Sequence, residues 1–191
     1  MAYGLDKDFR SKSASWKSLA TMLVTAAAIL AAIVFAATAL SAGDLLWFVT
    51  SFDERPRLIL VHCAGTATAY ESGSAEFERL AASVNTDLAG PKFAPPGVGL
   101  SEATQSDYWS KNLTLEVLYA QPVRMHTSFR YGLFDALIYP VSGAHSGEHL
   151  VFARRGDVVL PGVDIGDESA AAATLKGMGY TWDQFGLCSK P

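Results

Sequence analysis

The chain has 191 residues, 15 Lys and Arg against 19 Asp and Glu, a formal net charge of −4, and half of its residues hydrophobic. This acidic balance excludes nucleic-acid binding through a basic stripe. Only two cysteines are present and no C-x-x-C pair occurs, which excludes thioredoxin-type and zinc-ribbon chemistry.

Residues 1–17 carry Lys7, Arg10, Lys12 and Lys17 against two aspartates, a net charge of +2. An apolar run follows from Leu19 to Ala42, 24 residues without one charge. At ~1.5 Å per residue it makes about 36 Å of helix, enough to cross a hydrocarbon core of ~30 Å. Ala37-Thr38-Ala39 fits a signal-peptidase site, but the run exceeds the ~7–15 residues of a signal core, so an uncleaved anchor is expected. The rest of the chain carries 11 Lys and Arg and 17 Asp and Glu, net −6, with Asp44 the first charge past the run. By the positive-inside rule the N-terminus is cytoplasmic and the C-terminal domain extracytoplasmic, periplasmic or equivalent. Trp16 and Trp47 bracket the span, and Leu45–Phe48 is expected to extend the helix into the headgroups. Three segments result: a tail 1–17, a transmembrane segment 18–48, and an outer domain 53–191.

The apolar helix has two unlike faces. Thr21, Thr25, Ala28, Ala32, Ala36, Ala39 and Gly43 fall in one stripe at 100° per residue, with the bulky Leu, Ile and Met side chains opposite. Small residues let a second helix approach closely, so this stripe is the expected packing face for a partner helix.

In the outer domain, Arg57–Cys63 and Thr66–Tyr70 read as a hairpin turning at Ala64-Gly65. Ser74 is a helix N-cap with Glu76 and Glu78 in the first turn. Phe77, Leu80, Ala81, Val84 and Leu88 form one apolar face, and Gly90-Pro91 ends the helix. Residues 90–100 form a Gly- and Pro-rich loop, after which Ser101 caps a short helix to about Lys111. Leu113–Tyr119 alternates as a half-buried strand, and Pro122 marks its end or an edge. Leu133–Val141 and His149–Ala153 read as strands. Val158–Leu160 follows the Arg155-Gly156-Asp157 turn and is closed by Pro161 and Gly162. Asp167 caps a last helix to Lys176, with Gly177 just past its end. This succession of strands and helices with short links predicts an α+β domain. Its sheet is mostly antiparallel and covered on one face by helices 75–88 and 167–176.

Cys63 and Cys188 both fall on the outer side, where an oxidising compartment favours a disulfide; two buried free thiols are the alternative. His145, Glu148 and His149 are the one metal-like cluster, but Gly143 and Gly147 argue against the helix that i, i+4 ligation needs. His62-Cys63 does not make a nucleophile pair, because neighbours in a strand face opposite ways. No nucleophile elbow, P-loop or dinucleotide loop is present. Asn112-Leu113-Thr114 is an N-glycosylation sequon.

No catalytic, cofactor-binding or metal residues are therefore assigned. The chain reads as a non-catalytic, single-pass accessory subunit of a larger membrane complex, with an energy-transducing respiratory or photosynthetic assembly as the expected kind. Its partners are other membrane subunits and the lipid bilayer, not nucleic acid. The alternative is a membrane-anchored ligand-binding or sensor domain. Tyr108, Trp109, Tyr119, Phe129 and Tyr131 would line its pocket.

Overall fold

The computed structural model describes residues 12–95 and 97–189. Most of the basic tail, residues 1–11, lies outside them. Helix α1 spans Lys12–Ala42, so it takes in the last residues of the segment read as a tail. It is the one described helix long and apolar enough to cross a membrane, over Trp16–Ala42, and its most apolar stretch is uncovered by the rest of the chain.

The helix does not continue through Leu45–Phe48 as expected. Gly43 adopts φ +67°, and the Asp44 N–H bonds back to the Ala39 carbonyl at 3.1 Å, a Schellman termination. The Leu46 N–H then bonds Asp44 Oδ1 at 2.9 Å, and residues 45–48 form a turn. A glycine at the first position past the helix makes the left-handed stop cheap, which overrides the apolar character of the residues beyond it.

The rest is an α+β domain built on a six-stranded antiparallel sheet of order β2-β1-β3-β4-β5-β6. Its strands are β1 Leu58–Cys63, β2 Thr66–Glu71, β3 Leu113–Val123, β4 Phe134–Pro140, β5 Leu150–Arg155 and β6 Val158–Asp164. Helices α2 (Ala75–Asp87) and α4 (Ser169–Gly177) cover one face, as expected. Phe77, Leu80 and Val84 of α2 meet Ile59, Val61, Leu115 and Val117 of the sheet in the main core. The third helix, α3 (Glu102–Ser110), departs from the single-face expectation. It lies on the opposite face, where Tyr108 packs with Ile138, Leu150 and Phe152. Its apolar residues are too few to show a helical stripe, so the sequence did not reveal which face it covers.

Two prolines sit inside strands rather than ending them. Pro122 lies in β3 beyond Leu118, the last residue paired with β1, so its missing N–H interrupts no ladder there. Pro161 and Gly162 lie within β6 instead of closing the hairpin. That strand is the sheet's edge, and the 93–98 loop covers it through Phe93 and Asp164, and through Gly162 N–H to the Val98 carbonyl. A Cβ at Gly162 would meet the Phe152 ring at 3.0 Å.

Asp167 does not cap α4. Its carboxylate accepts from the Ser169 N–H and hydroxyl, Glu168 stands at the N-cap without a side-chain cap bond, and Gly177 is the last helical residue. The caps come from α2. The buried Asp87 carboxylate accepts from the N–H groups of Ala170 at 2.9 Å and Ala171 at 2.8 Å, and from the Tyr139 hydroxyl at 2.7 Å. A short two-stranded sheet, β7 (Thr181–Trp182) with β8 (Cys188–Ser189), follows α4 and was not anticipated. Two-residue strands carry no periodicity. Cys188 is bridged to Cys63, which ties the chain's end to β1.

Glu168 lies beside this cap with Oε2 buried and unpartnered. Burial, with the Asp87 and Asp167 carboxylates nearby, pushes its pKa from 4.5 up to about 8. A raised folded-state pKa means that the folded chain binds more protons than the unfolded one between these values. Stability is therefore greatest below pH 4.5 for this group and is lost as pH rises through about 8. Glu168→Gln should remove that slope. The variant should gain about 1–2 kcal/mol on the wild type between pH 5 and pH 9, the screening of a half-buried site being allowed for. Urea unfolding at a series of pH values checks this; parallel profiles for the two proteins would contradict it.

Candidate functional site

The chemically dense region outside the core is the junction between α1 and the domain. After Gly43 the chain folds back. The Trp47 and Phe48 rings pack on Phe35, with centroids 6.4 and 6.0 Å away. Phe35 is two turns inside the helix end, about 10 Å below it. Ala39 and Ala42 are buried here, at 5% and 1% exposure. The β3–β4 connection delivers cations to the helix terminus. Arg124 donates to the Gly43 carbonyl at 3.4 Å, and a Cβ at Gly43 would lie 3.7 Å from Arg130 Nε. Positive charge at a helix C-terminus is favoured by the exposed carbonyls and the helix dipole.

His126 Nδ1 lies 2.6 Å from Asp44 Oδ2. Burial alone would raise the Asp44 pKa. The His126 hydrogen bond, the Leu46 N–H and the charges of His126 and Arg124 outweigh it and hold the carboxyl below its ordinary value. This pair joins the helix terminus to the domain and was not anticipated; an aspartate directly after a helix-ending glycine is its one local signal.

Beside the junction is a cleft of about 260 Å³ lined by Trp47–Thr50, Gly90–Phe93 and His126–Ser128. Lys92 enters it from an otherwise uncharged loop and is 6% exposed. Its ammonium donates to the carbonyls of Thr50 and Gly90, both at 3.0 Å. Burial lowers its pKa.

The predicted packing stripe divides at this junction. Thr21, Thr25, Ala28, Ala32 and Ala36 are exposed; Ala39 is covered, and Gly43 has left the helix.

The other sequence candidates lie elsewhere. His145 and His149 both adopt positive φ, +69° and +54°, so they share no helical face with Glu148. Among the described residues no group of three or more His, Cys, Asp or Glu is placed to hold a metal. His145 Nδ1 instead lies 2.7 Å from the Tyr108 hydroxyl, which donates to the Ala144 carbonyl. The aromatic set does not gather at one pocket. Tyr108 belongs to the α3-side core and Tyr119 and Tyr131 to the main core. Phe129 lines a shallow groove with Tyr131, and Trp109 packs on His62 at 4.3 Å between ring centroids. Arg155-Gly156-Asp157 is the β5–β6 turn, with the Gly156 N–H bonded to Asp135. Asn112 of the sequon is 6% exposed, and its side-chain amide donates to the Gly186 carbonyl, so the folded domain offers no acceptor there.

On the α3 side of the sheet, Glu116 accepts from Arg154 at 2.6 Å and lies 3.1 Å from His62 Nε2. Burial favours its neutral form, but these two partners hold its pKa below the ordinary value. With both carboxylate oxygens engaged, the network is built as a structural tie across β1, β3 and β5.

A larger cleft, about 520 Å³, lies at the far end of the domain between α3 and the 182–187 loop. Its lining is mainly polar, with Asp107, Lys111, Asn112 and Asp183, and Phe185 stands 74% exposed at its rim. Asp107 and Lys111 pair with each other at 2.7 Å.

The chain matches no family model, and no curated protein or solved structure is similar to it.

Proposed function

We propose that this chain is a non-catalytic, single-pass subunit that docks into a larger membrane assembly through α1 and holds its α+β domain on the extracytoplasmic side. The observation that carries this reading is the stripe Thr21, Thr25, Ala28, Ala32 and Ala36, which is exposed among the described residues. Lipid gives helices no hydrophobic drive to associate, so close approach along small residues is the favourable mode of docking. The aromatic bands support a spanning role. From Trp16 to Phe35, where Trp47 and Phe48 fold back, is about 29 Å of helix, equal to a hydrocarbon core. The Cys63–Cys188 bridge and the +2 tail support an outward-facing domain. The ties at Asp44 and Arg124 favour a domain held in fixed relation to the helix.

The test is purification of the tagged chain from native membranes in mild detergent, with its co-migrating subunits identified by mass spectrometry. Wild type should carry a stoichiometric set of membrane proteins. Ala28→Ile with Ala32→Ile should lose that set, whereas Leu23→Ala with Leu30→Ala on the other face should keep it. A lone monomer, or equal behaviour of the two double variants, would overturn the docking role. The 520 Å³ polar cleft favours a second reading, a tethered ligand-binding domain, and a lone monomer would shift weight to it.

A further inference from the structure

The geometry points to a binding site for the phosphate-bearing headgroup of an anionic phospholipid in the cleft formed by Trp47, Lys92, Phe93, His126 and Ser128. This rests on the reading of α1 as a membrane span.

Three observations converge on it. First, the cleft holds a buried cation with no anion. Lys92 is 6% exposed, yet among the described residues no carboxylate lies within ion-pairing distance. Its two acceptors are neutral carbonyls, leaving one ammonium N–H without a partner. A buried ammonium without counter-charge is costly, and an anion beside it removes much of that cost. Second, donors in the same walls lack acceptors. Among the described residues Trp47 Nε1 is buried without a hydrogen-bond partner, and the exposed Ser128 hydroxyl is paired with none. Asp44, the acid bonded to His126 in the cleft wall, is engaged by that histidine and by the Leu46 N–H. Third, the surroundings suit an amphiphile. Phe48 and Phe93 are 55% and 56% exposed beside the cleft, and Leu45 is 72% exposed on the turn before it. Arg124 and Arg130 add positive charge at the adjacent helix terminus.

The level of the cleft selects the source of the phosphate. Trp47 and Phe48 sit beside Phe35 at the expected edge of the hydrocarbon, so a headgroup in the cleft would leave its acyl chains against the exposed rings. At about 260 Å³ the cleft suits a headgroup rather than a whole lipid. A free phosphate would use the ammonium and hydroxyl but not the apolar rim.

The experiment is native mass spectrometry of the full chain released from nanodiscs of phosphatidylcholine and phosphatidylglycerol at nine to one. Wild type should retain one phosphatidylglycerol, at least tenfold enriched over its share of the bilayer. Lys92→Met should abolish the enrichment, and Trp47→Phe, which keeps the ring and loses the N–H, should cut it about threefold. Should Lys92→Met misfold, Ser128→Ala with Trp47→Phe supplies the same comparison. Absence of enrichment, or equal enrichment in the variants, overturns the site. Displacement of the lipid by millimolar inorganic phosphate also overturns it, in favour of a free-anion pocket. Carbonate extraction of native membranes separates the two failures. A chain left in the pellet without lipid preference sinks the headgroup site alone, whereas a chain released to the supernatant sinks the membrane reading as well.

Discussion

Replacing both Cys63 and Cys188 with alanine should lower the unfolding free energy by about 4–5 kcal/mol, the largest single effect expected in this domain. The bridge closes a loop of sequence separation 125, and chain entropy scales with the logarithm of that length. Its removal frees the end of the chain as well as the unfolded ensemble. β8 is a two-residue strand that contains Cys188, pairs with β7 and donates the Cys188 N–H to the Lys111 carbonyl at 3.0 Å. Two glycine contacts depend on the same placement. A Cβ at Gly186 would lie 2.4 Å from the Gly143 nitrogen, and one at Gly143 would lie 2.6 Å from Asn112 Cγ. The 182–187 loop is thus wedged against the 142–144 turn, where the Gly186 carbonyl accepts from Asn112 and Ser142, and the disulfide fixes the residue just beyond it. Denaturant unfolding of the full chain in mild detergent, read by tryptophan fluorescence, measures the loss. A change below about 1 kcal/mol would show that the 182–187 loop is held without the bridge. The double variant is the cleaner comparison, because a single substitution leaves a reactive buried thiol.

Asp87→Ala should cost about 3–5 kcal/mol, since it strips the acceptor from three donors at once. Tyr139 lies in the sheet, Ala170 and Ala171 open α4, and Asp87 ends α2, so one carboxylate joins three elements. Each donor left buried without an acceptor costs about 1–3 kcal/mol, and water entering the vacated space recovers part of the sum. Asp87→Asn keeps one carbonyl oxygen and should lose about half as much. The loss has a second signature. Asp87 is one of the charges holding the Glu168 pKa up, so the alanine variant should also flatten the fall in stability between pH 5 and pH 8. Thermal unfolding at pH 5 and pH 8 separates the two effects. Loss of stability with an unchanged pH slope would mean that burial and Asp167, not Asp87, set the Glu168 pKa.

Asp87 shows where reading along the chain stops. At the end of α2 a carboxylate opposes that helix's own dipole, and nothing local explains it. Only when α4 is laid beside α2 does the residue become a cap. Asp167 looked like the cap because it stands at the right spacing, and the fold used its carboxylate for Ser169 instead. Lys92 is similar: in sequence it is one cation in a Gly- and Pro-rich loop, and its burial follows from the 47–50 turn folding over it.

What the sequence determined by itself was local. The anchor-length helix, the Ser74 and Ser101 caps, the succession of strands along the chain and the antiparallel links rest on runs, periodicity and short connections. Such signals need only neighbours within a turn or a pleat, and the two cysteines admitted a single pairing. The tertiary structure decided which face α3 covers, that Pro122 and Pro161 stay within strands, and that the chain reverses at Gly43 onto Phe35. It also brought Asp44 to His126 and closed the cleft around Lys92. These depend on groups far apart in the chain meeting across the sheet, where a missing N–H, a glycine's absent Cβ or a buried charge is tolerated only because of what packs against it.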